Sequence, residues 1–516
     1  MSTHNASRRL FLRHAGALST TLGSAAAPLA LNLSAMGSAA AQSASDYKAL
    51  VCIFLFGGND SINMVLPTDT DSWTNYTTVR NQAPDSIALL APGTAANAGA
   101  AAGSPARLGG VLPINPTRAQ GRTFALHPMM GTLQTMFNTD KRLAILPNVG
   151  PLIVPTTKAQ YNARSVSLPV SLYSHNDQQN TWQSFSPEGA TQGWGGRMGD
   201  LLAAQNGRSV FTAISTSGNN VWLSGQTVRQ YQVGANGAIR MGTNTANQIF
   251  GSASVGTAMK SIVTATRGGH VFESDLATIS ARSIDAEESL RSVLKAPDNP
   301  LFGTTTGSTY NPNNDPKLQY DNPLNGNKAF NSLAQQLQVV ARMIDASAAS
   351  GVSAKRQVFF VSLGGFDTHD AQNRSHADLY ARLAHAMRYF DTTLAGMGAL
   401  NKVTTFTASD FGRTFTSNGD GTDHGWGGHH FVMGGAVKGG DLYGNFPVLG
   451  AKNANNNNFD SSADQLGNGA LLPTTSVDQL GATLAKWFGI SDADALTVFP
   501  HLASFTTRDL GFMNAG

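Results

Sequence analysis

Charge is scarce in this chain. Lys, Arg, Asp and Glu make up 13% of its 516 residues, about half the usual ~25%. Residues 1–41 hold three arginines and no acidic residue, while the whole chain has a formal charge of +3, so the remainder is neutral. A neutral chain without Lys/Arg runs is not expected to bind nucleic acid. Cys52 is the only cysteine, which excludes a disulfide within the chain. It sits in the apolar run 49–56 and is expected to be buried packing rather than a reactive thiol. Beyond the leader, no run reaches the ~18 apolar residues of a membrane span, so the mature chain is expected to have no integral membrane segment. No Gly-x-Ser-x-Gly nucleophile elbow occurs either.

The N-terminus has the pattern of an export signal. Ser7-Arg8-Arg9-Leu10-Phe11-Leu12-Arg13 is followed by a mildly apolar run to about Ala35, and Ala39-Ala40-Ala41 offers a small-residue cleavage site. The arginine pair before Phe-Leu resembles a twin-arginine signal. This predicts a 1–41 signal peptide, passage through the twin-arginine translocase, a mature chain beginning at Gln42, and a periplasmic or extracellular location.

Three short stretches read as strands buried on both faces: 49–56, 357–363 and 402–407. Residues 143–146 and 210–214 are weaker strand candidates. Between them lie helical patterns. Leu333, Leu337, Val340 and Ile344 form one stripe within 330–346, and Leu379, Leu383, Met387, Phe390 and Leu394 another within 377–397. His376 and His385 fall on or beside the second and read as surface or helix-packing residues. The alternation predicts an α/β fold, a mostly parallel central sheet with helices on both faces. Residues 42–516 read as one large domain, with loop-rich insertions and an inserted cap within 185–330.

Each main strand ends on polar chemistry. The first runs FLFGGND to Asn59 and Asp60, the second SLGGFDTHD to Asp367 and His369, the third FTASDFGR to Asp410 and Arg413. Asp and Asn cap helices and close turns. In open parallel sheets, however, ligands bind beyond the carboxyl ends of the strands, and three such ends would bring three carboxylates to one rim. Downstream, GDGTDHGWGGHH carries Asp420, Asp423, His424, His429 and His430. Mixed Asp and His suit Zn, Mn or a similar divalent ion, whereas Mg or Ca takes oxygen shells. A calcium loop at 418–423 lacks the EF-hand spacing. In SLYSHNDQQNTWQS, Ser174 beside His175 could serve as nucleophile, metal ligand or helix N-cap. Arg413 could hold an anionic substrate oxygen or pair with a carboxylate.

The leader, LFGGNDSINMVLP, LHPMM…LAILPNVG, SHNDQQNTW, GGFDTHD, SDFGRT and DHGWGGHHFVMGGAVKGG occur in this order. Together they resemble the twin-arginine-exported bacterial family numbered fifteen-hundred-and-one in the domain-of-unknown-function series, over roughly residues 48 to 515. That family is more distantly similar to the alkaline phosphatase and sulfatase superfamily. The resemblance implies an alkaline-phosphatase-like α/β fold with a metal-binding rim. It implies that Asp60 matches the metal Asp of the first strand, that Asp367 and His369 match an Asp…His pair for one metal, and that Asp410 serves the other. One of His424, His429 or His430 would complete the first site. The chain departs from the superfamily where Phe411, rather than His, follows Asp410. It also lacks the Cys/Ser-x-Pro-x-Arg signature of sulfatases.

The expected function is an exported metal-binding protein acting as a metal-dependent hydrolase of phosphate or related esters, with a small anionic or ester substrate as partner and Ser174, His175 and Arg413 as catalytic candidates. The alternative is a non-catalytic binding or assembly protein that keeps the fold.

Overall fold

A computed structural model of the protein describes residues 46–514, apart from 236, 241, 245, 266–269 and 455–457. The export signal and its cleavage site lie outside the described residues.

The centre is a nine-stranded sheet. In chain order its strands are β1 (Lys48–Phe56), β2 (Leu143–Gly150), β3 (Ala213–Ser215), β4 (Tyr231–Gly234), β5 (Gly237–Ala238), β6 (Arg356–Gly364), β7 (Val403–Ser409), β10 (Gly428–Met433) and β11 (Thr475–Ser476). A separate hairpin, β8 (Arg413–Ser417) and β9 (Thr422–His424), follows β7. The order across the sheet is β11-β2-β10-β7-β1-β6-β3-β4-β5. β1 pairs in parallel with both β6 and β7. β10 runs antiparallel to β7 and β2, and β5 is antiparallel to β4; the remaining pairings are parallel. The three main expected strands form, as does 143–146 within β2; of 210–214 only the last two residues are strand, in β3, because residues 209–211 form a 3-10 turn.

The apolar runs are continuous because both faces are covered. Ala49, Val51, Ile53 and Leu55 enter one core with Phe359 and Val361. Leu50, Cys52 and Phe54 enter the other with Val358 and Phe360. Successive side chains of a strand point to opposite faces, so alternate residues supply alternate cores. Helices α6 (Ser332–Asp345) and α7 (Gln372–Gly396) cover the first face. Helices α2 (His175–Ser184), α3 (Trp194–Leu202) and α8 (Val477–Phe488) cover the second. Cys52 is buried there, as its neighbours predict. No helix among the described residues is long and apolar enough to cross a membrane.

The register brings the three polar exits together. Phe56 is level with Gly364, and Leu55 with Ser409, so the chain leaves β1, β6 and β7 on one rim. The loops there nearly touch. A methyl group at Gly57 (φ +113°) would fall 2.3 Å from the Asp367 amide nitrogen, and one at Gly421 would fall 2.3 Å from the carbonyl carbon of His369. Glycine is required at both by close approach, and at Gly57 also by conformation.

Candidate metal centre

Four donor atoms converge at the rim. Nε2 of His424 lies 3.1 Å from Nε2 of His175 and 2.9 Å from Nε2 of His369. Oδ1 of Asp367 lies 3.4 Å from His175, 3.1 Å from His369 and 3.5 Å from His424, each at Nε2. His175, Asp367 and His424 form a group whose ligand atoms all lie within 4.8 Å of one another, and His369 adjoins it through His424 and Asp367.

The other ring nitrogens decide what the cluster can hold. Nδ1 of His424 faces the Tyr173 carbonyl at 2.8 Å, and a carbonyl only accepts. Nδ1 of His175 faces Oδ2 of Asp410 at 2.7 Å, and Nδ1 of His369 faces Oδ1 of Asp423 at 3.2 Å. Each Nδ1 has an oxygen acceptor behind it, so Nε2 is the atom that each ring turns inward. Three lone pairs and a carboxylate at one point repel one another. A cation among them relieves that repulsion. Outer carbonyl and carboxylate partners of this kind orient metal-ligating histidines. The donor set fits a divalent metal, and its nitrogen content favours Zn or Mn over Mg or Ca.

Local sequence explains each position. His175 opens α2, with Ser174 as its N-cap. Tyr173, just before, is held at φ +74°, a costly backbone region for a non-glycine residue, and it is the Tyr173 carbonyl that fixes His424. Asp367 and His369 follow β6, and His424 ends β9. The Asp410 hydrogen bond raises the His175 pKa, while burial lowers that of His424. Burial alone would raise the Asp367 carboxyl, but the Arg413 guanidinium outweighs it and keeps it ionised.

Several sequence expectations take other positions. Asp410 stands behind His175, fully buried. Its Oδ2 already accepts from His175, from Gln179 at 2.7 Å and from the Gly57 amide at 3.2 Å. Asp423 stands behind His369 in the same way, and also accepts from Asn418 at 2.8 Å. Asp60 is fully buried against Arg80 of the helix α1 (Thr70–Arg80), at 2.5 Å, and forms no contact with the four donors among the described residues. Burial would raise its pKa, but the Arg80 guanidinium outweighs that and holds it below the usual carboxylate range.

Arg413 is 1% exposed. It donates to the carbonyls of Gly58, Thr422 and Gly57 and to Asp367. It straps three loops together and has no face for a substrate. The Ser174 hydroxyl is directed to Asp177, and no hydrogen bond links it to the cluster among the described residues. Gln179, Arg80 and the Tyr173 carbonyl escaped the sequence reading. Gln179 lies one helical turn after His175, a spacing that could have marked it; a main-chain carbonyl leaves no mark in sequence.

His429 and His430 belong to the core. Nδ1 of His429 accepts from the Asn148 amide at 3.0 Å, and His430 packs on Trp182 with ring centroids 5.7 Å apart. Burial pushes both down to about 3, and His376, also buried, down to about 4. Unfolding restores their ordinary value of ~6.5, so below that pH the unfolded chain binds the extra protons. Their contribution is complete above pH ~6.5 and is lost as pH falls toward 3–4. His175, whose pKa is raised, works the other way but is outnumbered. We expect the unfolding free energy from urea titration, and with it the midpoint, to fall from pH 7 to pH 5, by about 2 kcal/mol per buried histidine. His430→Asn should flatten that slope. An unchanged wild-type midpoint at pH 5 would refute the assignment.

No curated protein sequence matches the chain. Solved structures resemble it at low identity. The PsFucS1 sulfatase from Pseudoalteromonas sp. is 9% identical with a TM-score of 0.31, covering 94% of this chain and 76% of that one. The lipoteichoic acid synthase LtaP from Listeria monocytogenes is 8% identical with a TM-score of 0.31, covering 88% and 75%. A family model described as "protein of unknown function (DUF1501)" matches residues 47–498. Since that match spans most of the chain, including every residue of the rim described above, the protein belongs to the DUF1501 family.

Proposed function

We propose that this chain is an exported divalent-metal protein that hydrolyses phosphate or related esters. The observation that carries the metal assignment is the arrangement: three imidazoles, each with Nδ1 facing an oxygen behind it, turn Nε2 toward Asp367. His175, His369, His424 and Asp367 would hold the ion. A divalent cation there would supply Lewis-acid polarisation of a substrate oxygen.

The chain's own residues set the geometry. Asp410 and Gln179 fix the His175 ring, the Tyr173 carbonyl fixes His424, and Arg413 anchors Asp367. The half-exposed side chains of Asp367, His369 and Asp423 leave the cluster open to solvent on one side, where a substrate can approach. Ser174, adjacent in sequence to His175, is the side chain to test as nucleophile.

A second reading, a non-catalytic binding or assembly protein, draws support from Arg413. The guanidinium at the rim is committed to carbonyls and to Asp367, so it provides no clamp for an anion. The deciding experiment assays metal-loaded protein against phosphate mono- and diesters, sulfate esters and phosphonates. Turnover that falls by orders of magnitude in His369→Asn, with folding intact, supports the hydrolase. Stoichiometric metal with no turnover on any of these supports the second reading.

A further inference from the structure

Two consecutive helices leave apolar side chains uncovered. They are α4 (Ala253–Thr264) and α5 (Val271–Val293). In α4 only Gly256 is buried, and in the first half of α5 only Ala277. Val255, Met259 and Ile262 on α4, and Phe272, Leu276 and Ile279 on α5, are between 42% and 79% exposed. Their spacing of three, four and seven residues places each set on one face of its helix.

The base of the pair is anchored. Ala286 and Leu290 are buried, Asp285 pairs with Arg208, and Lys260 meets Glu288 at 2.6 Å. The rest projects. A 12-residue helix is marginal in water by itself, and monomers rarely expose more than a few hundred Å² of contiguous apolar surface. At roughly 100 Å² per side chain, the α5 stripe offers on the order of 300 Å² and the α4 stripe about as much again, against the ~800 Å² each partner contributes to a standard interface.

We propose that this face pairs with a second copy of the chain, α5 against α5, antiparallel about a two-fold axis near Ile279. The charges favour that occupant. Asp275 and Arg282 are exposed, seven residues apart and so on one side of the helix, and neither takes part in an ion pair among the described residues. Their midpoint falls between Thr278 and Ile279. An antiparallel partner therefore sets each Asp275 opposite the other copy's Arg282, twice by symmetry, with the two Ile279 side chains on either side of the axis. A bilayer fits less well. The described residues of both helices carry Lys260, Arg282 and Arg291 against Glu273, Asp275, Asp285, Glu287 and Glu288, whereas interfacial helices are rich in Lys and Arg.

The test is light scattering of the full chain from about 1 to 100 μM, the range where interfaces of this size dissociate. Wild type should be dimeric at the upper end. Leu276→Asp with Ile279→Asp should weaken the dimer about a hundredfold; both sites are exposed, so thermal unfolding of the subunit should not move. Asp275→Arg should weaken it, and adding Arg282→Asp should restore it. Cys52 is buried, so Ile279→Cys introduces the one accessible thiol, and mild oxidation should yield a covalent dimer. A monomer at every concentration overturns the proposal, as does a dimer insensitive to the double Asp substitution. So does a charge swap without recovery, a thiol variant that never cross-links, or a wild type that instead sediments with phosphatidylcholine–phosphatidylglycerol vesicles.

Discussion

Zinc titrated into His424→Ala is expected to bind at least about a hundredfold more weakly than into the wild type. Loss of an outer-shell partner already costs 10–100-fold, and His424 is the donor that all the others approach: its Nε2 sits within 3.5 Å of His175, His369 and Asp367. Asp410→Asn should fall inside the outer-shell range. It keeps an acceptor for His175 but loses the charge that raises the His175 pKa. Asp423→Asn should do least, because that carboxylate is half exposed and its longer bond to His369 is exchangeable with water. Affinity should also drop below neutral pH, since the metal competes with protons for three imidazoles. Calorimetry with elemental analysis checks the order His424→Ala, then Asp410→Asn, then Asp423→Asn. Equal losses in all three, or none, would remove the cluster as a metal site.

That gradation was not legible in the sequence. The three strands were, because an apolar run buried on both faces has a pattern that tertiary context can hardly override. Their common direction then placed Asp367, His369, Asp410 and Arg413 on one rim. Sequence could not rank those residues by depth. Asp410 and Asp367 both follow a buried strand, yet Asp410 is wholly buried and Asp367 has a half-exposed side chain. The difference lies in loop conformation, where the Gly57 turn passes over one carboxylate and leaves the other open. His429 and His430 misled for a related reason. They sit in a His-rich run, but the run enters β10, and both side chains go into the core. Within GDGTDHGWGGHH, only His424 lies before the strand begins.

Asp60 provides the sharpest separation of structure from metal binding. Arg80→Met is expected to destabilise the protein by about 3–5 kcal/mol, the cost of leaving a buried charge without its partner. Both side chains are fully buried, and the pair is bidentate, with Nη1 to Oδ2 at 2.5 Å and Nη2 to Oδ1 at 3.0 Å. Gln372 adds a bond to Asp60 at 2.7 Å. Arg80 also donates to Asn63 and to the carbonyls of Thr414 and Phe415, so it joins α1 to β8, whose first residue is Arg413. Asp60→Asn should cost less than Arg80→Met, because the amide still accepts from Arg80 and the guanidinium retains its carbonyls. The double variant should be more stable than the sum of the two losses, since residues in one ion pair are not additive. Urea unfolding of the three variants measures this cycle. Zinc stoichiometry should stay at the wild-type value in folded Asp60→Asn, because Arg80 already supplies the positive charge its carboxylate needs. Loss of bound metal in that variant, with its unfolding midpoint intact, would return Asp60 to the ligand set.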